Sequence, residues 1–360
     1  MGAAAASALT ASAVAAAVAA AGAHRSYDVY HEWALRGEEV QQQVLSMRLA
    51  VLLPFFASAS LLVLYFLLEH LQLFFVLHMS AMSLFTVAFT LQPLAERCLG
   101  AAGCCASAMS TALSISVVFT WIVNGAWYLN NAIGVSLCIT LISTVRLPSL
   151  RVAVVCLLGL FVYDILWVFY SELLFKENVM MKAATAPASN PAHSVATAIA
   201  PSLQRFVVPS LQLPNKLLFP VGWPPRAFIA LGLGDIVLPG LLLALLHRVD
   251  MALGRGFGTA ACNANAAWGR CFWRWGRSCR DAGYLDVATV GYLFGLLCSW
   301  LAMWAFALAQ PALLYIVPST LLPTALMARR RRQLPLLWSG LEDEFERSSG
   351  GFLDVEKRGV

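Results

Sequence analysis

"LGLGDIVLPG", Leu231 to Gly240, sets one carboxylate, Asp235, among Gly232, Gly234, Pro239 and otherwise apolar residues. "AFIA" precedes the stretch and "LLLALLH" follows it, so the segment reads as one to be buried in lipid. A carboxylate near the centre of a membrane helix costs about 2.5–3.5 kcal/mol on insertion scales. The position of Asp235 therefore needs a reason, and the rest of the chain supplies one.

The chain has 360 residues, 60% of them apolar and only 12% charged. Its mean hydropathy is +0.73, far above that of a soluble globular chain. Nine apolar runs of about twenty residues stand at 2–22, 48–68, 71–94, 107–123, 126–145, 152–174, 227–246, 287–309 and 311–328. They lack the alternation with period two of an outer-membrane barrel. The expected fold class is an all-α polytopic membrane protein with nine transmembrane helices. The first run is nearly all Ala and is the weakest of the nine.

With nine spans and a lumenal N-terminus, nineteen of the 24 basic residues face the cytosol. The lumenal side then holds Lys176, Lys182, Arg205, Lys216 and Arg226. The positive-inside bias thus predicts a lumenal N-terminus and a cytosolic C-terminus. "AAAGAHRS" offers a signal-peptidase site at Ala21 and Ala23, but cleavage there would invert every one of those charges. The first run is read as an uncleaved span, with a cleaved signal as the alternative. The net charge of +5 follows from the same bias and calls for no nucleic acid. "GRCFWRWGR" (Gly269–Arg277) reads as a loop lying on anionic headgroups rather than as an RNA-binding stretch.

Of the nine cysteines, Cys98, Cys104, Cys105, Cys262, Cys271 and Cys279 fall in cytosolic loops, and Cys138, Cys156 and Cys298 in spans. No disulfide framework is expected. The spacings match no zinc pattern, no cofactor is expected, and no Asn-x-Ser/Thr sequon occurs.

The chain divides into an Ala-rich first span plus cytosolic loop (1–47), spans two to five (48–151), a membrane core of spans six to nine (152–328) and a cytosolic tail (329–360). The core carries a long lumenal loop, 171–226, with eight of the sixteen prolines, and a basic, irregular cytosolic loop, 247–286. In the lumenal loop "NPAHSVATAIAPSLQRF" reads as a flexible excursion, and "SLQLPNKLLFP" as strand-like alternation with a proline break. No internal repeat is visible, which weighs against an inverted-repeat transporter.

A second acid, Asp164, lies in the sixth run within "FVYDILWVF". Entering from the cytosol near Val152, it stands twelve residues deep, about 18 Å at 1.5 Å per residue. Asp235 stands twelve residues from the cytosolic end of the seventh run. Consecutive spans are antiparallel, so the two acids can lie level. Two facing carboxylates in a low dielectric share a single proton. That is the chemistry of an aspartic protease, in which the ionised acid draws a proton from water and the protonated acid polarises the scissile carbonyl. Gly232 and Gly234 let a backbone come close and loosen the helix, Pro239 weakens its ladder, and Tyr163 can offer a hydroxyl. Taken singly, Gly-x-Gly in a span is a packing face and a lone Asp is a structural acid or an ion site. Matched depth, adjacent spans and flanking glycines together favour the catalytic pair.

"YD" (Tyr163–Asp164), "GLGD" (Gly232–Asp235) and "QPALLY" (Gln310–Tyr315) resemble, in order and in the sixth, seventh and ninth spans, the three signatures of GxGD intramembrane aspartyl proteases. These are the presenilins and the signal peptide peptidases, and the likeness runs from roughly residue 48 to 328. The resemblance implies Asp164 and Asp235 as the catalytic pair, and Pro311, Ala312 and Leu313 as a Pro-Ala-Leu motif that helps bind substrate. Proline at the start of the ninth span has no N–H to lose and frees nearby backbone groups to pair with an unwound substrate, as in strand addition. The charge orientation is that of signal peptide peptidases, opposite to presenilins. "VRLPSLRV" and "QPALLYIVP", with no sequon and no Lys-rich retrieval signal in "EKRGV", are most similar to the compact, unglycosylated branch of signal peptide peptidase-like proteases.

The expected function is an intramembrane-cleaving aspartic endopeptidase of an endomembrane compartment (Golgi, endosome or ER). By resemblance its substrates are single-span type II membrane proteins. Helix-weak substrates should be favoured, since hydrolysis within a helix requires unwinding. The branch works without accessory subunits, and homo-oligomerisation is left open. The rival readings are a proton-coupled transporter or ion leak that uses the same two Asp residues, and an inactive scaffold that binds membrane helices.

Overall fold

The computed structural model describes residues 2–36, 43–100, 103–171, 188–193, 207–222, 227–253, 282–306 and 310–340, with Phe175 and Thr197. Helices follow the apolar runs: α1 (Gly2–Arg36), α2 (Met47–Leu99), α3 (Cys104–Asn124), α4 (Trp127–Thr144), α5 (Leu150–Ile165), α6 (Gly234–Ala252), α7 (Tyr284–Phe306), α8 (Leu313–Arg330) and a short α9 (Leu334–Ser339). A π-helix, Leu166–Tyr170, continues α5.

Among the described residues six helical stretches are long and apolar enough to cross a membrane by length and composition. They are Gly2–Tyr30, Met47–Leu67, Gln72–Leu99, Cys104–Asn124, Leu150–Tyr170 and Tyr284–Phe306. The protein is an all-helical polytopic membrane protein. Three further predicted runs also carry helices, but polar residues set these apart. α4 holds Asn130 and Asn131, α6 holds Asp235, Arg248 and Asp250, and α8 holds Pro318, Pro323, Arg329 and Arg330.

The runs 48–68 and 71–94 were expected as separate helices, yet α2 is continuous over 53 residues. No Gly or Pro falls between Leu61 and Gln92, and the stretch is rich in Leu, so nothing local breaks the hydrogen-bond ladder. The run 227–246 departs the other way. Its first six residues form a strand, and the helix begins only at Gly234.

The chain forms two compact units. The first comprises Met1–Val18, Phe55–Leu141 and Ile165–Val237. Its core gathers Val76, Val87, Val118, Trp121, Ile133, Leu137 and Leu211. Ser114 Oγ donates to Leu84 O at 2.6 Å and ties α3 to α2. Gly125, at φ 58°, ends α3 in the left-handed conformation that favours glycine, and its N–H donates to Trp121 O at 2.8 Å. Two small antiparallel sheets belong to this unit: β3 (Ala188–Ser189) with β4 (Ser210–Leu211), and β5 (Lys216–Val221) with β6 (Ala227–Gly232). The strand-like alternation of "SLQLPNKLLFP" thus becomes β4 and β5, broken at Pro214. Asn190 opens the stretch expected as a flexible excursion, but it is buried. Its Nδ2 donates to Ile122 O at 2.8 Å and to Val208 O at 2.9 Å. Most of the residues from 194 to 206 lie outside the described set.

The second unit comprises Ala19–Pro54, Ile142–Asp164 and Leu238–Val360. A short parallel pairing joins β1 (Gln43–Val44) to β2 (Val145–Arg146). α7 and α8 meet through glycine: a Cβ on Gly291 would collide with Ser319 O, and one on Gly295 would stand 2.7 Å from Ile316 Cα. Gly22 of α1 and Gly240 of α6 both press on Ile142. Arg248 Nη2 donates to Leu147 O at 2.7 Å. Asp250, near the end of α6, accepts from Tyr284 N at 2.9 Å and Leu285 N at 2.8 Å, so it caps α7. The loop expected over 247–286 is therefore shorter, with α6 running to Ala252 and α7 starting at Tyr284. "GRCFWRWGR", Cys262, Cys271 and Cys279 lie outside the described residues.

The Ala-rich α1 has a packing logic. Ala11, Ala15, Ala19 and Ala23, spaced four apart, are each 0% exposed. Small side chains on one stripe let neighbouring backbones approach, which offsets the poor lipid affinity of Ala.

Candidate active site

Asp164 lies on the last turn of α5 and is buried at 4% exposure. Its Oδ2 accepts a hydrogen bond from the backbone N–H of Leu313 at 3.2 Å. Leu313 is the first residue of α8, with Ala312 as its N-cap. The first N–H groups of a helix have no partner within it, and here one of them is satisfied by Asp164. The same helix end presents a partial positive charge to the carboxylate. Pro311 precedes the cap by one residue rather than opening the helix as the first helical residue, and its carbonyl accepts from Leu314 N at 3.2 Å. Ala312 O accepts from Tyr315 N and Ile316 N, both at 3.1 Å. Asp164 and the Pro-Ala-Leu motif, 149 residues apart, are thus brought together.

Immediately after Asp164 the ladder widens into the π-helix Leu166–Tyr170. Single π turns inside α-helices occur often at functional sites. The sequence reading anticipated an unbroken α-helix here, because apolar periodicity does not distinguish 3.6 from 4.4 residues per turn over one turn. Trp167, within this turn, is held by a bond from its Nε1 to Ser58 Oγ at 3.0 Å. Tyr163 is half-buried on α5, one residue before Asp164.

Asp235 sits in the first turn of α6, directly after β6. Its carboxylate is half-buried and, like Asp164, lies at a helix N-terminus. The expectation that Gly232 and Gly234 loosen a helix is corrected: they flank the strand-to-helix junction. "AFIAL" carries β-branched and aromatic side chains and pairs with β5, so the strand prevails until the glycine. A Cβ on Gly232 would stand only 3.3 Å from Asp235 Oδ2, so the bare glycine gives the carboxylate its room. A Cβ on Gly234 would meet nothing described within 4 Å beyond its chain neighbours and its own turn of helix.

The hairpin that leads to Asp235 is held from α4. Asn131 clasps Leu218 of β5 on both sides, donating from Nδ2 to its O and accepting from its N, each at 2.7 Å. Asn130 Nδ2 donates to Lys216 O at 3.1 Å. Lys216 pairs with Gly232 in register, and burial holds its ammonium below the usual lysine range. One edge of β5 is therefore taken by α4 and the other by β6. The outer edge of β6 pairs with no strand among the described residues. Sequence reasoning passed over Asn130 and Asn131. Two adjacent amides in an apolar run were the available signal.

Among the described residues no group of three or more His, Cys, Asp or Glu side chains could hold a metal ion. The site is one of carboxylates and backbone amides.

A polytopic helical protein with a buried acid inside a span, held by a distant proline-led motif, falls in a narrow class, and comparison with known proteins makes it specific. Residues 37–344 match the family described as signal peptide peptidase. The chain is 36% identical over 323 residues to Signal peptide peptidase-like 1 of Oryza sativa subsp. japonica, covering 81% of each chain. It is 34% identical over 329 residues to Signal peptide peptidase-like 1 of Arabidopsis thaliana, covering 83% of each. Signal peptide peptidase-like 2B of Homo sapiens is 33% identical over 218 residues, 60% of this chain and 31% of that protein. No solved structure matches the chain. The protein is an intramembrane aspartic protease. It belongs to the signal peptide peptidase family.

Proposed function

We propose that Asp164 and Asp235 are the catalytic pair of a nine-span protease that cleaves type II membrane proteins within their transmembrane segments. The hydrogen bond from Leu313 N–H to Asp164 carries the reading, because it joins the Pro-Ala-Leu motif to the first acid. The equal sequence depth of the two acids, twelve residues from the cytosolic ends of runs six and seven, supports it further. One carboxylate is ionised and takes a proton from the attacking water. The other is protonated and donates to the scissile carbonyl, so the developing charge is neutralised without a metal or a covalent intermediate.

A substrate helix must open to expose its scissile carbonyl, and its freed amides then need partners. The outer edge of β6, ending three residues before Asp235, offers a row of them in strand addition. The basic bias of the loops supports a lumenal N-terminus and a cytosolic C-terminus, and the likeness to signal peptide peptidases supports residence in an endomembrane compartment.

The test is proteolysis in reconstituted liposomes with a tagged type II single-span substrate, comparing the intact chain with Asp164→Ala and Asp235→Ala. Loss of the intramembrane cut in both variants is expected. Equal cutting by all three would overturn the assignment of the pair. Cutting of a type I but not a type II substrate would overturn the substrate class alone.

A further inference from the structure

Within the second unit α5 and α8 leave a groove between them of about 820 Å³. α5 contributes Val154, Leu158 and Phe161, and α8 contributes Leu321, Leu322 and Ala325. Leu334, Pro335 and Trp338, from α9, close one end. The volume lies in the range of about 300–1,000 Å³ that holds a drug-sized ligand. Leu158 at 47%, Leu322 at 61% and Trp338 at 46% exposure are left uncovered by the described residues. An all-apolar lining suits a hydrocarbon tail.

The closed end carries charge. On α5, Arg151 shares a face with Val154, Leu158 and Phe161, at spacings of three, four and three residues. On α8, Arg329 stands four residues beyond Ala325 and seven beyond Leu322, on the same face as both. The Asp164–Leu313 bond joins the end of α5 to the start of α8, and both helices line the groove along their length, so they run antiparallel and their arginine ends fall on the same side. Gly340, where a Cβ would come within 2.8 Å of Pro148 O, brings the end of α9 to the same place. Arg151 and Arg329 are exposed, whereas Arg331 is turned inward, donating to Ala282 O at 2.8 Å and lying over the Tyr284 ring. Trp338 sits beside the basic rim, as an indole does at a membrane interface.

We propose that this groove is a binding site for one anionic phospholipid, with an acyl chain between α5 and α8 and its phosphate held by Arg151 and Arg329. Guanidinium groups grip phosphate through paired N–H donors. The chain reaches as far as Phe161, one turn from Asp164, so the bound lipid braces the turn of α5 that carries the acid.

The experiment reconstitutes the full chain in vesicles of brominated phosphatidylglycerol or brominated phosphatidylcholine. The difference in fluorescence between the intact chain and Trp338→Phe isolates Trp338 from the other indoles. Expected is stronger quenching of Trp338 by the anionic lipid, with a preference of roughly fivefold for each arginine engaged. The preference is lost in Arg151→Gln/Arg329→Gln and kept in Arg151→Lys/Arg329→Lys. Equal Trp338 quenching by phosphatidylcholine in all these chains verifies that they are folded alike. Equal quenching by the two lipids would overturn the proposal, since ordinary bilayer lipid then fills the groove. A preference that survives the Gln variant would also overturn it, as would a Trp338 that neither lipid quenches, because protein then covers the site.

Discussion

Leu313 donates its backbone N–H to Asp164 Oδ2 at 3.2 Å, so the side chain of one helix finishes the N-terminus of another. Asp164 thus has a structural duty beside its proposed chemical one, and the two can be separated. Asp164→Asn keeps a carbonyl oxygen to accept the bond but cannot ionise. Asp164→Leu keeps the bulk and leaves the amide orphaned, at a cost of about 1–3 kcal/mol. Thermal unfolding in detergent should place the Asn variant near the parent and the Leu variant clearly below it, with proteolysis lost in both.

Gly291 and Gly295 let α7 lie against the α8 backbone at Ser319 and Ile316. Adding a methyl forces the helices apart, because the obstructing atoms are mainly backbone. Gly291→Ala should lower stability by about 1–3 kcal/mol, the usual cost of overpacking. The unfolding midpoint in detergent reads this out. Gly234→Ala, with open space at its Cβ, is the matched control and should leave that midpoint nearly unchanged.

Asn131→Leu strips two partners from the buried Leu218 and frees β5 on its α4 side. The loss is about 1–3 kcal/mol for each group left unpaired. Hydrogen exchange at the Leu218 amide should quicken by about tenfold for every 1.4 kcal/mol lost. Proteolytic activity should fall with it, since β6 and Asp235 follow from the same hairpin.

Asp250 lies beyond the C-terminal end of run 227–246. Burial pushes its carboxyl above the ordinary 3.8, with Asp286 adding to the rise, while bonds from Leu285 and Tyr284 and the charge of Arg331 oppose it. A carboxyl that holds its proton more tightly when folded than when unfolded makes the folded state the better proton binder. Its contribution to stability is therefore fully present below about pH 3.8 and is lost as pH rises through the raised folded value, then levels off. Unfolding midpoints measured across that window should show the decline in the parent chain and not in Asp250→Asn.

The helical class and the burial of Asp164 inside a span were legible because each leaves a local trace: a run of twenty apolar residues, or a carboxylate inside one. What stayed hidden depends on tertiary partners. Residues 227–232 read as lipid-facing helix, yet β5 supplies a ladder that "AFIALG" joins as a strand. The π turn after Asp164 changes hydrogen bonding without changing composition. The Ala stripe of α1 looked weak by hydropathy alone, because hydropathy scores affinity for lipid and misses how closely small residues pack. Gly291-x-x-x-Gly295 was in plain view as a helix-contact pattern and went unread beside the acids.

The capping of α7 by Asp250 joins residues 34 apart in sequence. That clasp pins the start of α7 to the end of α6 directly, through a carboxylate and two backbone amides rather than through the polypeptide between them. A polypeptide produced as two separately translated pieces, one ending after α6 and one beginning before α7, should therefore meet again at the Asp250 clasp, with recovered proteolysis as the readout.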